Sequence, residues 1–76
     1  MTRTFTLTVD MDSALFGGAP ETELGYVLRD IIERVKDQGT ETFVVKARRP
    51  RQSRRSWAAV DSQGNTVGEF RILERD

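Results

Sequence analysis

Leu24-Gly25-Tyr26-Val27-Leu28-Arg29-Asp30-Ile31-Ile32-Glu33-Arg34-Val35 carries the architecture of this chain. Its apolar residues stand at 24, 27, 28, 31, 32 and 35, the i, i+3, i+4, i+7 positions that make one stripe on an α-helix. The opposite side is polar: Tyr26, Arg29, Asp30, Glu33, Arg34 and Asp37, with Asp30 and Arg34 spaced for an i,i+4 ion pair. Pro20 suits the first helical position, because the N–H it lacks has no partner there in any residue. Glu21 and Glu23 then place negative charge at the positive end of the helix dipole, and Gly39 supplies the stop. The spacing predicts a helix from Pro20 to the residue before Gly39. Gly25 weakens its first turn by about 1 kcal/mol relative to alanine.

Before the helix, Thr2 to Met11 alternates with a period of two. Phe5, Leu7, Val9 and Met11 fall on one face, and Thr4, Thr6, Thr8 and Asp10 on the other, as in a half-buried strand. Asp12 to Ala19 reads as a loop marked by Gly17-Gly18. After the helix, Thr40 to Ala47 reads as a second strand, with Phe43, Val45 and Ala47 alternating against Thr42, Val44 and Lys46. Trp57–Val60 and Val67–Leu73 read as two more strands around the turn Asp61-Ser62-Gln63-Gly64-Asn65, whose Gly-Asn pair signals a hairpin. Gly68 inside the last strand predicts either a bulge or room for a large neighbour such as Trp57. One helix covers only one face of a sheet. The expected fold is therefore α+β, a two-layer sandwich with one amphipathic helix on a mostly antiparallel four-stranded sheet, in the order β-α-β-β-β over a single domain, 1–76.

Composition narrows the function classes. With 37% hydrophobic and 32% charged residues the chain has enough apolar side chains to fold, but 76 residues bury only about 60–65% of the unfolded surface, so the core is thin. There is no cysteine, which excludes disulfides and thiolate metal sites. There is no histidine, the commonest general base and metal ligand, so no cofactor is expected. No apolar run is long enough to span a bilayer and no signal-peptide core follows Met1, so the expected location is the cytosol, away from membranes.

The best imitation of a catalytic motif is Asp10-Met11-Asp12 at the end of an apolar strand. It looks like the Asp-x-Asp of haloacid dehalogenase phosphatases, where the pair supplies a nucleophile, a proton donor and a magnesium site. That chemistry needs a doubly wound sheet and later Ser/Thr, Lys and Asp motifs, which 76 residues do not hold. A calcium loop fails as well, since the third oxygen ligand would fall on Ala14. The expectation is that the protein is not an enzyme and that Asp10 and Asp12 close a strand, with Ser13 helping the turn.

Charge is uneven although the total is zero. Residues 1–45 carry −4, residues 46–60 carry +6 and residues 61–76 carry −2. The basic island contains Lys46, Arg48, Arg49, Arg51, Arg54 and Arg55 and runs into Trp57. A local island on a neutral chain favours a specific contact over bulk attraction to a polyanion. Three readings stand: arginines solvated or loosely paired with the acidic helix face, a grip on an acidic protein or ribonucleoprotein surface, and direct nucleic-acid binding. Arginine's planar fork pairs bidentately with carboxylate or phosphate, which suits the second and third. Tyr26, off the apolar stripe and beside Asp30 and Glu33, joins the basic residues and Trp57 as a candidate contact. The threonine face of the first strand offers a homodimer contact, because a thin core gains from self-association.

Two stretches also carry a resemblance. Glu23-Leu24-Gly25-Tyr26-Val27-Leu28-Arg29-Asp30-Ile31-Ile32-Glu33-Arg34-Val35 resembles the leucine–arginine–aspartate helix of short bacteriophage and prophage proteins. Asp61-Ser62-Gln63-Gly64-Asn65-Thr66-Val67-Gly68-Glu69-Phe70 resembles their closing hairpin, which reads Asp-x-x-Gly-Asn-Thr-Val-Gly-Glu and then an aromatic. With the first strand, the resemblance covers most of the chain, while the arginine-rich 46–56 stretch is longer than the insert of such relatives. It implies a small accessory protein, of the class that includes anti-CRISPR proteins, that occupies a surface of a host machine. The function expected on these grounds is non-enzymatic inhibition of a host protein or ribonucleoprotein complex through the basic loop. The alternatives are direct nucleic-acid binding and structural self-association.

Overall fold

A computed structural model describes residues 2–46 and 55–75. The elements are β1 (Thr2–Val9), α1 (Ala14–Gly18), α2 (Pro20–Gln38), a 3₁₀ turn (Thr40–Phe43), β2 (Val44–Lys46), β3 (Trp57–Val60) and β4 (Thr66–Arg75). The expected class holds: a small α+β fold with one long helix and a four-stranded mixed sheet.

β4 is the spine of the sheet. Along one edge it pairs antiparallel with all of β1, from Thr2 opposite Arg75 to Val9 opposite Gly68. The other edge is shared end to end. β3 lies antiparallel beside Phe70 to Thr66, and β2 lies parallel beside Ile72 to Glu74. The four strands thus form a sheet only three strands wide, with β4, the last of them in the chain, at its centre. β1 and β2 run in opposite directions and are separated by β4.

The helix is as predicted. α2 begins at Pro20, has Glu21 and Glu23 in its first turn, and ends at Gly39, whose φ of 85° is the left-handed region glycine enters without strain. The Gly39 N–H donates to the Val35 carbonyl at 2.8 Å. Val27 and Ile31 are buried against Phe16, Phe43, Ala59, Val67 and Phe70. At the centre, the Phe43 ring stands 5.1 Å from Phe70 and 5.1 Å, edge to face, from Trp57, the offset geometries that aromatic quadrupoles favour.

Three segments depart from the sequence reading, and the first strand stops at Val9 rather than at Met11. Residues 12–19 are not all loop, since Ala14–Gly18 forms a helical turn that drives Phe16 into the core. The predicted second strand is cut to three residues. The Thr42 N–H donates to the Gly39 carbonyl at 3.3 Å and its hydroxyl to the Gln38 carbonyl at 2.7 Å. These local bonds turn Thr40–Phe43 into a 3₁₀ extension of the helix end, which carries Phe43 under α2. Ala47, the last residue of the predicted strand, lies outside the described residues. The final strand is longer than predicted, reaching from Thr66 to Arg75.

The hairpin turn is organised by one carboxylate. Asp61 is buried, and its Oδ1 accepts the backbone N–H groups of Gln63 and Asn65, both at 2.9 Å. Its own N–H donates to the Asn65 carbonyl at 3.0 Å, and Gly64 takes φ of 81°. Beyond the turn, the β3–β4 register shifts between Ala59 and Val60, so the predicted bulge is present. The space at Gly68 serves the backbone of β1, however, and not Trp57. A Cβ on Gly68 would overlap the Thr8 carbonyl oxygen and stand 3.0 Å from the Val9 Cα.

Candidate functional site

The predicted contact residues divide between two places. Lys46 closes β2 and is exposed, opposite Glu74 in the register. Trp57 opens β3 opposite Phe70 on the same edge of β4. Arg55 is drawn to Trp57, with its guanidinium 5.0 Å over the indole ring. Just beside it, the Ser56 hydroxyl donates to a Glu69 carboxylate oxygen at 2.9 Å. Arg48, Arg49, Arg51 and Arg54 lie outside the described residues. The basic stretch therefore leaves the sheet at the end of β2 and rejoins it at the start of β3, both on the edge of β4 away from β1. Tyr26 does not belong to that edge. It stands exposed on the outward side of α2.

Trp57 is half-buried and packs against the core, with Phe43 on one side and Arg55 over its ring. Its role here is to anchor the returning end of the basic stretch.

Asp10 and Asp12 behave as strand-closing residues. The Asp10 N–H donates to the Val67 carbonyl at 2.6 Å, and its Oδ1 accepts the Asp12 N–H at 2.9 Å. That is an Asx turn, in which a short carboxylate satisfies the backbone as the strand ends. The Ser13 carbonyl accepts the Phe16 N–H at 3.1 Å, while the Ser13 hydroxyl caps no helix. Among the described residues no group of three or more His, Cys, Asp or Glu side chains is placed to hold a metal ion. No helix among them is long and apolar enough to cross a membrane.

A three-residue ion cluster, not anticipated from the sequence, ties the first strand to the last. Arg3 donates from Nε to Glu74 Oε2 at 3.0 Å and forks onto Glu41 at 2.6 and 3.2 Å. The Glu74 side chain is 8% exposed and that of Glu41 73%. The hydrogen bond to Glu41, then that to Glu74, raises the Arg3 pKa further above its ordinary value, against a smaller opposing effect of desolvation. The β1–β4 register alone puts Arg3 opposite Glu74, but that pairing is invisible until the strands are aligned.

An uncovered apolar strip is the second feature that sequence periodicity did not show. α2 is fastened over the β3 side of the sheet. Arg34 donates to the Ala58 carbonyl at 2.6 Å and lies 5.0 Å over the Phe70 ring, while Glu23 accepts the Ser62 hydroxyl at 2.8 Å. Leu28 and Ile32 stand roughly 120° and 160° round the helix from Arg34 and so face the β1 side. They are 40% and 55% exposed, and Phe5 on the same side of the sheet is 52% exposed. Helical periodicity predicted the stripe correctly, but only its centre and one flank are buried.

No family model, no curated protein and no solved structure matches this chain.

Proposed function

We propose that this protein is a non-enzymatic binding module that docks the Arg-rich stretch from Lys46 to Arg55 onto an acidic surface of a host macromolecular complex and blocks it. The observation that carries this reading is the gathering of six bases and no acid into residues 46–60 of a chain with zero net charge. Both ends of the stretch are fixed to rigid elements on one sheet edge, Lys46 in β2 and Trp57 in β3.

The finer reading is a phage-type accessory protein acting in the host cytosol, in the manner of anti-CRISPR proteins. It rests on the helix and hairpin resemblance and on the class of small proteins that act by covering a surface. Fold alone does not supply that function.

A protein surface is favoured over nucleic acid by the state of Trp57. Single-strand binders use aromatic faces as platforms for bases. Here the indole carries Arg55 on its ring and Phe43 beside it, so it serves the fold first.

The test pairs a mobility shift with capture. Labelled single-stranded and double-stranded DNA and RNA should show no shift at low salt, while the immobilised protein should retain a defined host partner. Replacing Arg48, Arg49, Arg51, Arg54 and Arg55 by glutamate should abolish that retention. A salt-sensitive shift of naked nucleic acid that disappears in the glutamate variant would instead establish direct nucleic-acid binding.

A further inference from the structure

We propose that the protein is a homodimer in which the open edge of β1 pairs antiparallel with β1 of a second copy about a twofold axis at Thr6.

β1 has one neighbour among the described residues, β4, along its entire length. The Asp10 N–H reaches Val67 and the Thr8 carbonyl oxygen lies against Gly68, so the even-numbered positions direct their backbone groups to β4. The N–H and C=O groups of Arg3, Phe5, Leu7 and Val9 therefore point along the open edge, because successive residues of a strand alternate. Natural edge strands are usually guarded by charges, proline or bulges. This one reads Thr-Arg-Thr-Phe-Thr-Leu-Thr-Val, and its single charge, Arg3, is already engaged by Glu41 and Glu74 of its own chain. The edge is thus long, regular and without repulsive charge.

Self-complementarity selects the second copy as the occupant. A twofold axis at Thr6 makes Arg3 pair with Val9, and Phe5 with Leu7, in both directions, which uses all four outward-pointing residues. On the helix side the half-exposed Phe5 ring then meets a leucine. On the other side Thr4 meets Thr8, and Thr6 meets Thr6. Apart from Arg3 against Val9, apolar meets apolar on the helix side and threonine meets threonine on the other, and threonine–threonine cross-strand pairs are among the favourable ones. A register centred on Phe5 keeps threonine opposite threonine but carries Val9 past Thr2 of the second copy, so only three of the four outward-pointing residues pair.

The same arrangement accounts for the uncovered strip. Phe5 and Leu7 of two copies become the floor of one apolar trough, and Leu28 and Ile32 of each copy become its walls. An eight-residue edge is roughly 27 Å long and a sheet with its side chains roughly 10 Å thick, so the edge alone covers on the order of 300 Å² per copy. With the trough, the total for two copies reaches the order of 1,000 Å², where specific interfaces begin. A strand from another protein would use the same backbone groups, but nothing on the strand selects it over a second copy.

The test uses the full chain, which has no cysteine of its own. Sedimentation or light scattering over a concentration series should show a species of twice the 8.6 kDa chain mass. Thr6→Cys should cross-link to that dimer on mild oxidation, because directly opposed residues in a non-hydrogen-bonded pair have Cα atoms about 4.5 Å apart. Thr8→Cys, whose counterpart lies four residues further along the strand, should remain uncross-linked. Phe5→Lys, with an unchanged circular dichroism spectrum, should shift the chain to monomer. A monomer at every concentration, or cross-linking of Thr8→Cys as efficient as that of Thr6→Cys, would overturn the proposal.

Discussion

Gly68 and Thr8 sit backbone against backbone: the position a Cβ would take on Gly68 overlaps the Thr8 carbonyl oxygen. This contact lets β1 close onto β4 beside the bulge opposite β3, so both edges of the spine depend on it. Gly68→Ala has no flexible side chain to push aside, only strand backbone. Overpacking of that kind costs about 1–3 kcal/mol. Urea unfolding of the variant should show a lower midpoint by that margin, and an unchanged midpoint would mean the strands are spaced otherwise.

Phe43 is the deepest aromatic, fully buried between Trp57, Phe70 and the helix. Phe43→Ala leaves a cavity that neighbouring rings cannot fill and should cost about 3–5 kcal/mol. A domain of this length has roughly 4–11 kcal/mol in total, so the variant should be partly unfolded at physiological temperature in a thermal melt.

Arg3 meets two carboxylates of very different exposure, and their removal should differ accordingly. Glu41 is mostly in water, where an ion pair adds little, so Glu41→Ala should leave the melting temperature nearly unchanged. Arg3→Ala strips the partner from the nearly buried Glu74 and should lower the melting temperature by clearly more. Equal effects of the two substitutions would contradict the geometry.

Asp61 gives the stability an acid limb. Burial alone would raise its pKa, but the hydrogen bonds from Asn65, Gln63 and Gly64 together outweigh burial and hold it below the ordinary aspartate value. A carboxylate depressed in the folded state stabilises fully above its unfolded pKa of about 3.9, and that contribution is lost as pH falls through the folded value. Denaturation midpoints measured from neutral pH downward should therefore fall through the carboxylate range. Asp61→Asn keeps an acceptor for the turn but cannot titrate, and its acid limb should be shallower than that of the unsubstituted protein.

The helix, the first strand and the closing hairpin were legible because each is set by local rules: the 24–35 period, the alternation of 5, 7 and 9, and Asp61 with Gly64-Asn65. Thr40–Phe43 was not, since its alternation imitates a strand and only the helix end above it supplies the carbonyls that bend it. The exposed Phe5, Leu28 and Ile32 were illegible for a related reason. Periodicity tells which residues share a face but not whether one helix about 10 Å wide reaches across three strands. Of the contact residues, Lys46, Arg55 and Trp57 fall on one sheet edge, Tyr26 falls elsewhere, and Arg48, Arg49, Arg51 and Arg54 lie outside the described residues.

The most direct measurement is quantitative capture of a host partner from nuclease-treated lysate by the unsubstituted protein and by the variant with Arg48, Arg49, Arg51, Arg54 and Arg55 changed to glutamate. A partner with an acidic surface should be retained after nuclease treatment by the first and be absent from the second. Equal capture by both proteins would contradict the role assigned to the basic stretch.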